Sequence, residues 1–115
     1  MHFHALLLSV CVLFTVAPAF GQSQSLSLSS KLESMPDDSR RKLMTALVQR
    51  SGLECPAVQR TFLQGRLERS IVWNASCGAK REYGIVVDES DSNQTRVMTC
   101  AQLRELGAPA CFKKF

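Results

Sequence analysis

The stretch LERSIVWNASCGAKREYGIVVD, residues 67–88, decides the fold of this chain. In its first half, Ile71, Trp73 and Ala75 occupy alternate positions, and this period of two is typical of a half-buried β-strand. Residues 78–80, Gly-Ala-Lys, have the composition of a turn. A second alternating set follows the turn: Tyr83, Ile85 and Val87. The stretch therefore predicts two β-strands joined by a tight turn.

One further strand is predicted on each side of this pair. Upstream, Val58 and Phe62 share a strand face, and Gln64-Gly65-Arg66 has the composition of a turn. Downstream, the polar residues 89–93 form another turn, and residues 95–99 form a short strand. Because short connections favour antiparallel neighbours, we expect a four-stranded antiparallel meander.

Helical signals flank the strands. Residues 34–39 combine Ser, Pro and two Asp, as at a helix start. Residues 40–50 then carry one apolar stripe, and Gly52 suits the position after a helix. Residues 100–107 predict a second, short helix that Pro109 stops. The fold class is therefore α+β, with an N-terminal helix packed on the meander, a short C-terminal helix and two disulfides.

The N-terminal segment is predicted to be a signal peptide, residues 1–21. Its apolar run is shorter than the about 20 residues of a membrane span. Cleavage after Gly21 puts small residues at the positions that signal peptidase recognises. Cleavage after Ala19 is the second option. The alternative to cleavage is that the segment remains as an uncleaved membrane anchor. We expect residues 22–33 to be a flexible linker and residues 34–115 to form one domain.

Removal of residues 1–21 from the 115 leaves 94 residues with an even number of cysteines. In a small exported domain this indicates a disulfide framework. A zinc site would need closer ligand spacing, often with histidine. The four cysteines are Cys55, Cys77, Cys100 and Cys111.

A hairpin argument selects one pairing of these cysteines. If the first turn lies near Gly65, Phe62 faces Arg69 and Cys55 falls close to Cys77. Neighbouring strands can bring two Cα atoms to the separation that a disulfide needs. The last two cysteines, at positions 100 and 111, would then tie the end of the chain across the short helix.

The distribution of titratable residues argues against catalysis. Both histidines, His2 and His4, lie in the leader, so the mature chain has no imidazole for a catalytic triad, a Cys–His pair or a metal site. The acidic residues fall at the helix start and in turns. We therefore predict no enzyme activity and no catalytic, cofactor-binding or metal-binding residue. The net charge of +4 is spread along the chain, which does not indicate nucleic-acid binding.

The last residues of the sequence combine aromatic and basic side chains: Phe112, Lys113, Lys114 and Phe115. The favoured interpretation is a frayed terminus in which Phe112 packs, because chain ends are commonly disordered. The alternative is an anchor for a protein or membrane surface. With Arg66, these four residues are the candidate partner contacts.

Two tripeptides match the N-glycosylation pattern, beginning at Asn74 and Asn93. The pattern matters only in a eukaryotic secretory pathway. Asn93 lies in a predicted turn and is the better acceptor, whereas Asn74 lies within a predicted strand.

From Cys55 onward, cysteines and aromatic residues follow a distinctive order: Cys55-Pro-Ala-Val58, Trp73-x3-Cys77-Gly78, Tyr83-x-Ile-Val86, Arg96-Val-Met-Thr-Cys100 and Cys111-Phe112. In this order the chain resembles short exported proteins of Gram-negative bacteria that carry a four-cysteine domain of unknown function. The resemblance implies a periplasmic location and transfers no catalytic residue. Gly84 departs from the pattern and predicts a bulge in the third strand.

Two functional hypotheses follow. The first is a non-catalytic periplasmic or secreted protein-binding or accessory module, such as a small subunit of a larger envelope complex. The second is a secreted inhibitor or effector that acts on an external enzyme through an exposed loop, for which residues 64–66 and 89–93 are the candidates. Both hypotheses require a protein partner, and neither requires a transmembrane segment after signal cleavage.

Overall fold

A computed structural model describes residues 28–89 and 94–115 of the chain. The predicted signal peptide, the first part of the predicted linker and Asn93 lie outside these residues. The elements in chain order are α1 (Leu28–Ser34), α2 (Asp37–Arg50), β1 (Arg60–Leu67), β2 (Ser70–Ser76), β3 (Glu82–Asp88), β4 (Thr95–Thr99) and α3 (Cys100–Glu105). The strands form one sheet of order β1-β2-β3-β4, and every neighbouring pair is antiparallel. The predicted α+β meander is confirmed.

Helix α1 corrects the expectation of a flexible linker over residues 28–33. Leu32 is fully buried in the main core, and Leu28, one helical turn earlier, packs against the same core. The indole Nε1 of Trp73 donates a hydrogen bond of 3.4 Å to Ser29 Oγ. The polar composition hid two leucines four positions apart, which tertiary contacts hold in a short helix.

Helix α2 covers the same face of the sheet. Met44 and Val48, four positions apart, are fully buried. Asp37 begins the helix, where a negative charge suits the helix dipole. Gly52 ends it with a φ of +78°, a left-handed conformation that glycine adopts without steric cost.

The sheet is buried on both of its faces. One face carries the core beneath α1 and α2, which includes Trp73, Ile85 and Val87. The other face carries a smaller core beneath α3 and the end of the chain: Val72, Val86, Leu103 and Ala108. Strands β2 and β3 are therefore central strands, in which successive residues are apolar on both sides.

The turn between β1 and β2 lies at Glu68 and Arg69, not at residues 64–66 as the sequence suggested. Strand β1 continues through Gly65, and the register shifts by one residue there, since Leu63 pairs with Trp73 and Gly65 pairs with Val72. The predicted pairing of Phe62 with Arg69 is therefore wrong. The extra residue is Gln64, so β1 contains a β-bulge.

Strand β3 contains no such bulge, because its register with both neighbours is regular through Gly84. The need for glycine at position 84 has a different cause. A Cβ atom at position 84 would lie 2.7 Å from Leu103 Cδ2, so the absence of a side chain lets α3 approach the sheet.

We expect Gly84→Ala to lower the free energy of unfolding by about 1–3 kcal/mol, because the added methyl group overpacks this contact. Leu103→Ala alone should cost about 2–5 kcal/mol as a cavity mutation. In the double variant the new methyl group should partly fill the cavity, so the two losses should not add. Urea unfolding of the four proteins measures the coupling, and additive losses would contradict the proposed close approach.

Both predicted disulfides are confirmed. Cys55 and Cys77 are bonded with their Cα atoms 5.2 Å apart, and both are at most 5% exposed. Cys100 and Cys111 are bonded with a Cα separation of 5.9 Å, and both are half-buried. The first bond lies in the main core, whereas the second fastens the last residues to the start of α3.

Candidate protein-interaction surface

A buried polar network lies beneath the last residues of the chain. The bulge turns the side chain of Gln64 towards that of Asn74, and the two residues are 1% and 0% exposed. Asn74 Nδ2 donates to Gln64 Oε1 at 2.8 Å. Gln64 Nε2 in turn donates to the carbonyl oxygens of Pro109 and Ala110, both at 3.0 Å. The network therefore joins two strands to the segment that follows α3.

The same network fixes Phe112. Its backbone N–H donates to Asn74 Oδ1 at 2.7 Å, and its φ is +64°, a conformation that is rare for an aromatic residue. The Phe112 ring lies 5.9 Å from the ring of Phe62. The guanidinium of Arg60 lies over the Phe112 ring, 4.4 Å from its centroid. These contacts offset the backbone strain.

The contacts continue to the last residue. The backbone N–H of Phe115 donates to the Gln64 carbonyl at 3.2 Å. Its ring packs on Gly65, where a Cβ atom would lie 2.9 Å from Phe115 Cγ. The expectation that the chain end is frayed is therefore wrong. The accompanying expectation that Phe112 packs against the domain is right.

The outer side of this segment is basic and partly aromatic. We define the tail surface as six residues: Arg60, Arg66, Phe112, Lys113, Lys114 and Phe115. Phe115 is 49% exposed, and both lysines are exposed. Arg66 forms a salt bridge of 3.0 Å with Glu89. Within residues 28–89 and 94–115, the other three cations have no ion pair.

Four of the five predicted contact residues, 112–115, lie together at the chain end. Arg66 pairs with Ile71, which packs on the core beneath α1 and α2, so Arg66 adjoins the chain end only along the edge strand β1. Arg60 was not predicted, because the pattern of residues 58–62 indicated only a strand that faces the core. Its position two residues before Phe62 was the available signal, since alternate residues of a strand share a face.

Residues 64–66 do not form the exposed loop that the inhibitor hypothesis required. Gln64 is buried, Gly65 is covered by Phe115, and only Arg66 is exposed, within β1. Most of the second candidate loop lies outside the described residues. Asn74 is fully buried with both ends of its amide hydrogen-bonded, so the folded domain does not offer it as a glycosylation acceptor.

Two kinds of feature are absent from the described part of the chain. No group of three or more His, Cys, Asp or Glu residues there is arranged to hold a metal ion. No helix among residues 28–89 and 94–115 has the length and apolar character needed to cross a bilayer.

Comparison of the chain with protein-family models, with curated proteins and with solved structures finds no match.

Proposed function

We propose that this protein is a non-catalytic, exported accessory module that binds an acidic surface of a protein partner through the tail surface. The observation that carries the proposal is the buried Gln64–Asn74 network, which holds the aromatic and basic residues in one conformation. Most of the domain's buried side chains are apolar, and these two amides serve to position the chain end.

The tail surface is preorganised for binding. Side chains that are already ordered lose less conformational entropy on binding, so more of the contact energy appears as affinity. An exposed phenylalanine beside arginines and lysines is suited to an interface whose centre is aromatic and whose rim is charged. Because Arg60, Lys113 and Lys114 form no ion pair with any described residue, the complementary partner surface is acidic.

Two observations support export. The two disulfides are typical of oxidising compartments such as the periplasm or the extracellular space. The first 21 residues have the pattern of a cleaved leader. A small subunit docked on a larger envelope complex fits this location and the absence of histidine from the mature chain.

The test is affinity capture of partners by the purified, oxidised protein from the envelope and secreted fractions of its native cell. A triple variant reverses the unpaired cations: Arg60→Glu, Lys113→Glu and Lys114→Glu. We expect it to lose the captured partner, because one unfavourable charge contact at an interface already slows association and weakens binding.

The control reverses three exposed cations elsewhere on the domain, with the same change in net charge: Lys42→Glu, Lys80→Glu and Arg104→Glu. It should capture the partner as the wild type does. Equal loss in both variants would mean that net charge alone governs binding, and equal capture by both would refute the role of the tail surface. Mass spectrometry identifies the partner, and circular dichroism confirms that each variant is folded.

A further inference from the structure

Strand β1 has an outer edge that no described strand covers. The hydrogen bond from Cys77 N–H to the Arg81 carbonyl shows that odd-numbered residues of β2 bond to β3. The even-numbered residues of β2 therefore form their backbone hydrogen bonds with β1. Asn74, for example, pairs with Phe62. Since backbone directions alternate along a strand, the N–H and C=O groups of Thr61 and Leu63 point outwards.

A groove runs along this edge. Its volume is about 430 Å³, and its walls come from the helical layer and from the chain end. The floor is formed by Thr61, Phe62, Leu63 and the indole of Trp73. Lys114, part of the tail surface, stands on one side, and Glu33 of α1 stands on the other.

The charges along the groove favour an anionic occupant. Arg40 also lines it, but this guanidinium is already used, since it donates to Thr61 Oγ1 and to the Leu32 carbonyl, both at 3.1 Å. Within the described residues Lys114 has no ion pair, and neither have Arg60 and Lys113 of the tail surface. Of these three cations Lys114 lines the groove itself, together with Glu33, so the preference for an anionic occupant comes from the tail surface as a whole.

We propose that the acidic partner supplies an extended segment that adds to β1 as a fifth strand of the sheet. The backbone of the segment would pair with Thr61 and Leu63, and its carboxylates would meet Lys114 and the other cations of the tail surface. Strand addition to a free sheet edge is a general mode of peptide recognition, in which the backbone gives affinity and the side chains give specificity. This inference rests on the proposed function, and it names the form of the partner.

A second copy of the chain is a poorer occupant of the sheet edges. Two β1 edges would bring six unpaired cations together. At the other edge, β4, the N–H of Thr99 is already taken by Gln102 Oε1. Two β4 strands paired through Thr95 and Val97 would place Arg96 opposite Arg96, and like charges directly opposed are destabilising.

The experiment uses the whole mature protein and a short synthetic peptide of alternating Glu and Val residues, titrated by calorimetry. Trp73, the only tryptophan of the chain, lines the groove, so its fluorescence gives a second readout. We expect saturable binding that weakens with salt. The same peptide with Lys in place of Glu should not bind, and a backbone N-methylated Glu-Val peptide should bind about tenfold more weakly.

Thr61→Pro and Thr61→Val form a matched pair on the protein. Both lose the hydroxyl that accepts from Arg40, but only proline loses the outward N–H, which an edge strand can spare. We expect Thr61→Pro to bind the peptide about tenfold more weakly than Thr61→Val, and Lys114→Glu to bind about tenfold more weakly than the wild type.

The outcomes separate this inference from the proposed function. No binding of the Glu-Val peptide, or equal binding of its N-methylated form, overturns strand addition even if the tail surface still captures a partner. If Thr61→Pro does not fold, the N-methylated peptide decides. Loss of partner capture in the control charge variant would instead refute the proposed function.

Discussion

Asn74→Leu is expected to lower the free energy of unfolding by about 3 kcal/mol, because each buried polar group left without a partner costs about 1–3 kcal/mol. The substitution removes both hydrogen bonds of the amide. Gln64 Oε1 loses its donor, and the N–H of Phe112 loses its acceptor, while both remain beneath the chain end. Urea unfolding at equilibrium measures the loss.

The matched control is Gln94→Leu, which also replaces an amide side chain by leucine, but at an exposed position. Surface substitutions of this kind usually change stability by less than about 0.5 kcal/mol. Limited trypsin digestion adds a local readout, since Asn74→Leu should speed cleavage after Lys113 and Lys114 before the domain unfolds. A loss as small as that of the control would show that the network does not hold the chain end.

Removal of the Cys55–Cys77 disulfide should have an effect of similar size. The bond closes a loop with a sequence separation of 22, for which the loss of loop-closure entropy in the unfolded chain is worth about 3 kcal/mol. In a domain of this length each kcal/mol shifts Tm by about 4–8 °C. We therefore expect Cys55→Ala with Cys77→Ala to lower Tm by roughly 12–24 °C in a calorimetric scan.

The second disulfide provides the comparison. Cys100→Ala with Cys111→Ala opens a loop with a sequence separation of only 11, between half-buried cysteines at the edge of the smaller core. We expect a smaller fall in Tm and a larger gain in trypsin cleavage of the chain end. The reverse order of the two Tm shifts would contradict the assignment of Cys55–Cys77 to the main core.

Apart from α1, the element order could be predicted because the apolar period changes along the chain. Residues 40–50 repeat with a helical period, and residues 70–88 repeat with a period of two, so local pattern was sufficient. The Cys55–Cys77 bond was predicted correctly from a wrong register. Cys55 lies outside β1, near the end of β2. The prediction of the disulfide therefore needed only this proximity and did not depend on which residues of β1 and β2 pair.

The two-sided burial of the sheet had a signal in the sequence that was not used. Consecutive apolar residues, Ile71-Val72-Trp73 and Ile85-Val86-Val87, are typical of strands covered on both faces. Alternation was given priority, so only one covered face was expected. The second face needs α3 and the chain end, whose packing depends on Gly84 and on the disulfide at Cys111.

The candidate surface was predictable only in part. Aromatic and basic side chains near the end of the sequence identified four of its six members, but nothing local indicated that they are held in place. In the sequence, Gln64 looks like a turn residue and Asn74 looks like a solvent-facing strand residue. Their burial depends on contacts with residues 109–112, which lie 38 to 46 positions further along the chain.

The bulge in β1 has a consequence for how such a domain can arise. Gln64 is the extra residue of the strand, so every other cross-strand pair of β1 and β2 can exist without it. Its side chain and carbonyl bind the chain end alone, apart from its bond with Asn74. Insertion of this one residue adds three of the hydrogen bonds that hold the docked segment and leaves the strand pairing unchanged. The pairing of the sheet and the attachment of the chain end therefore depend on different residues, with Asn74 and the Cys100–Cys111 disulfide as the other anchors of the segment.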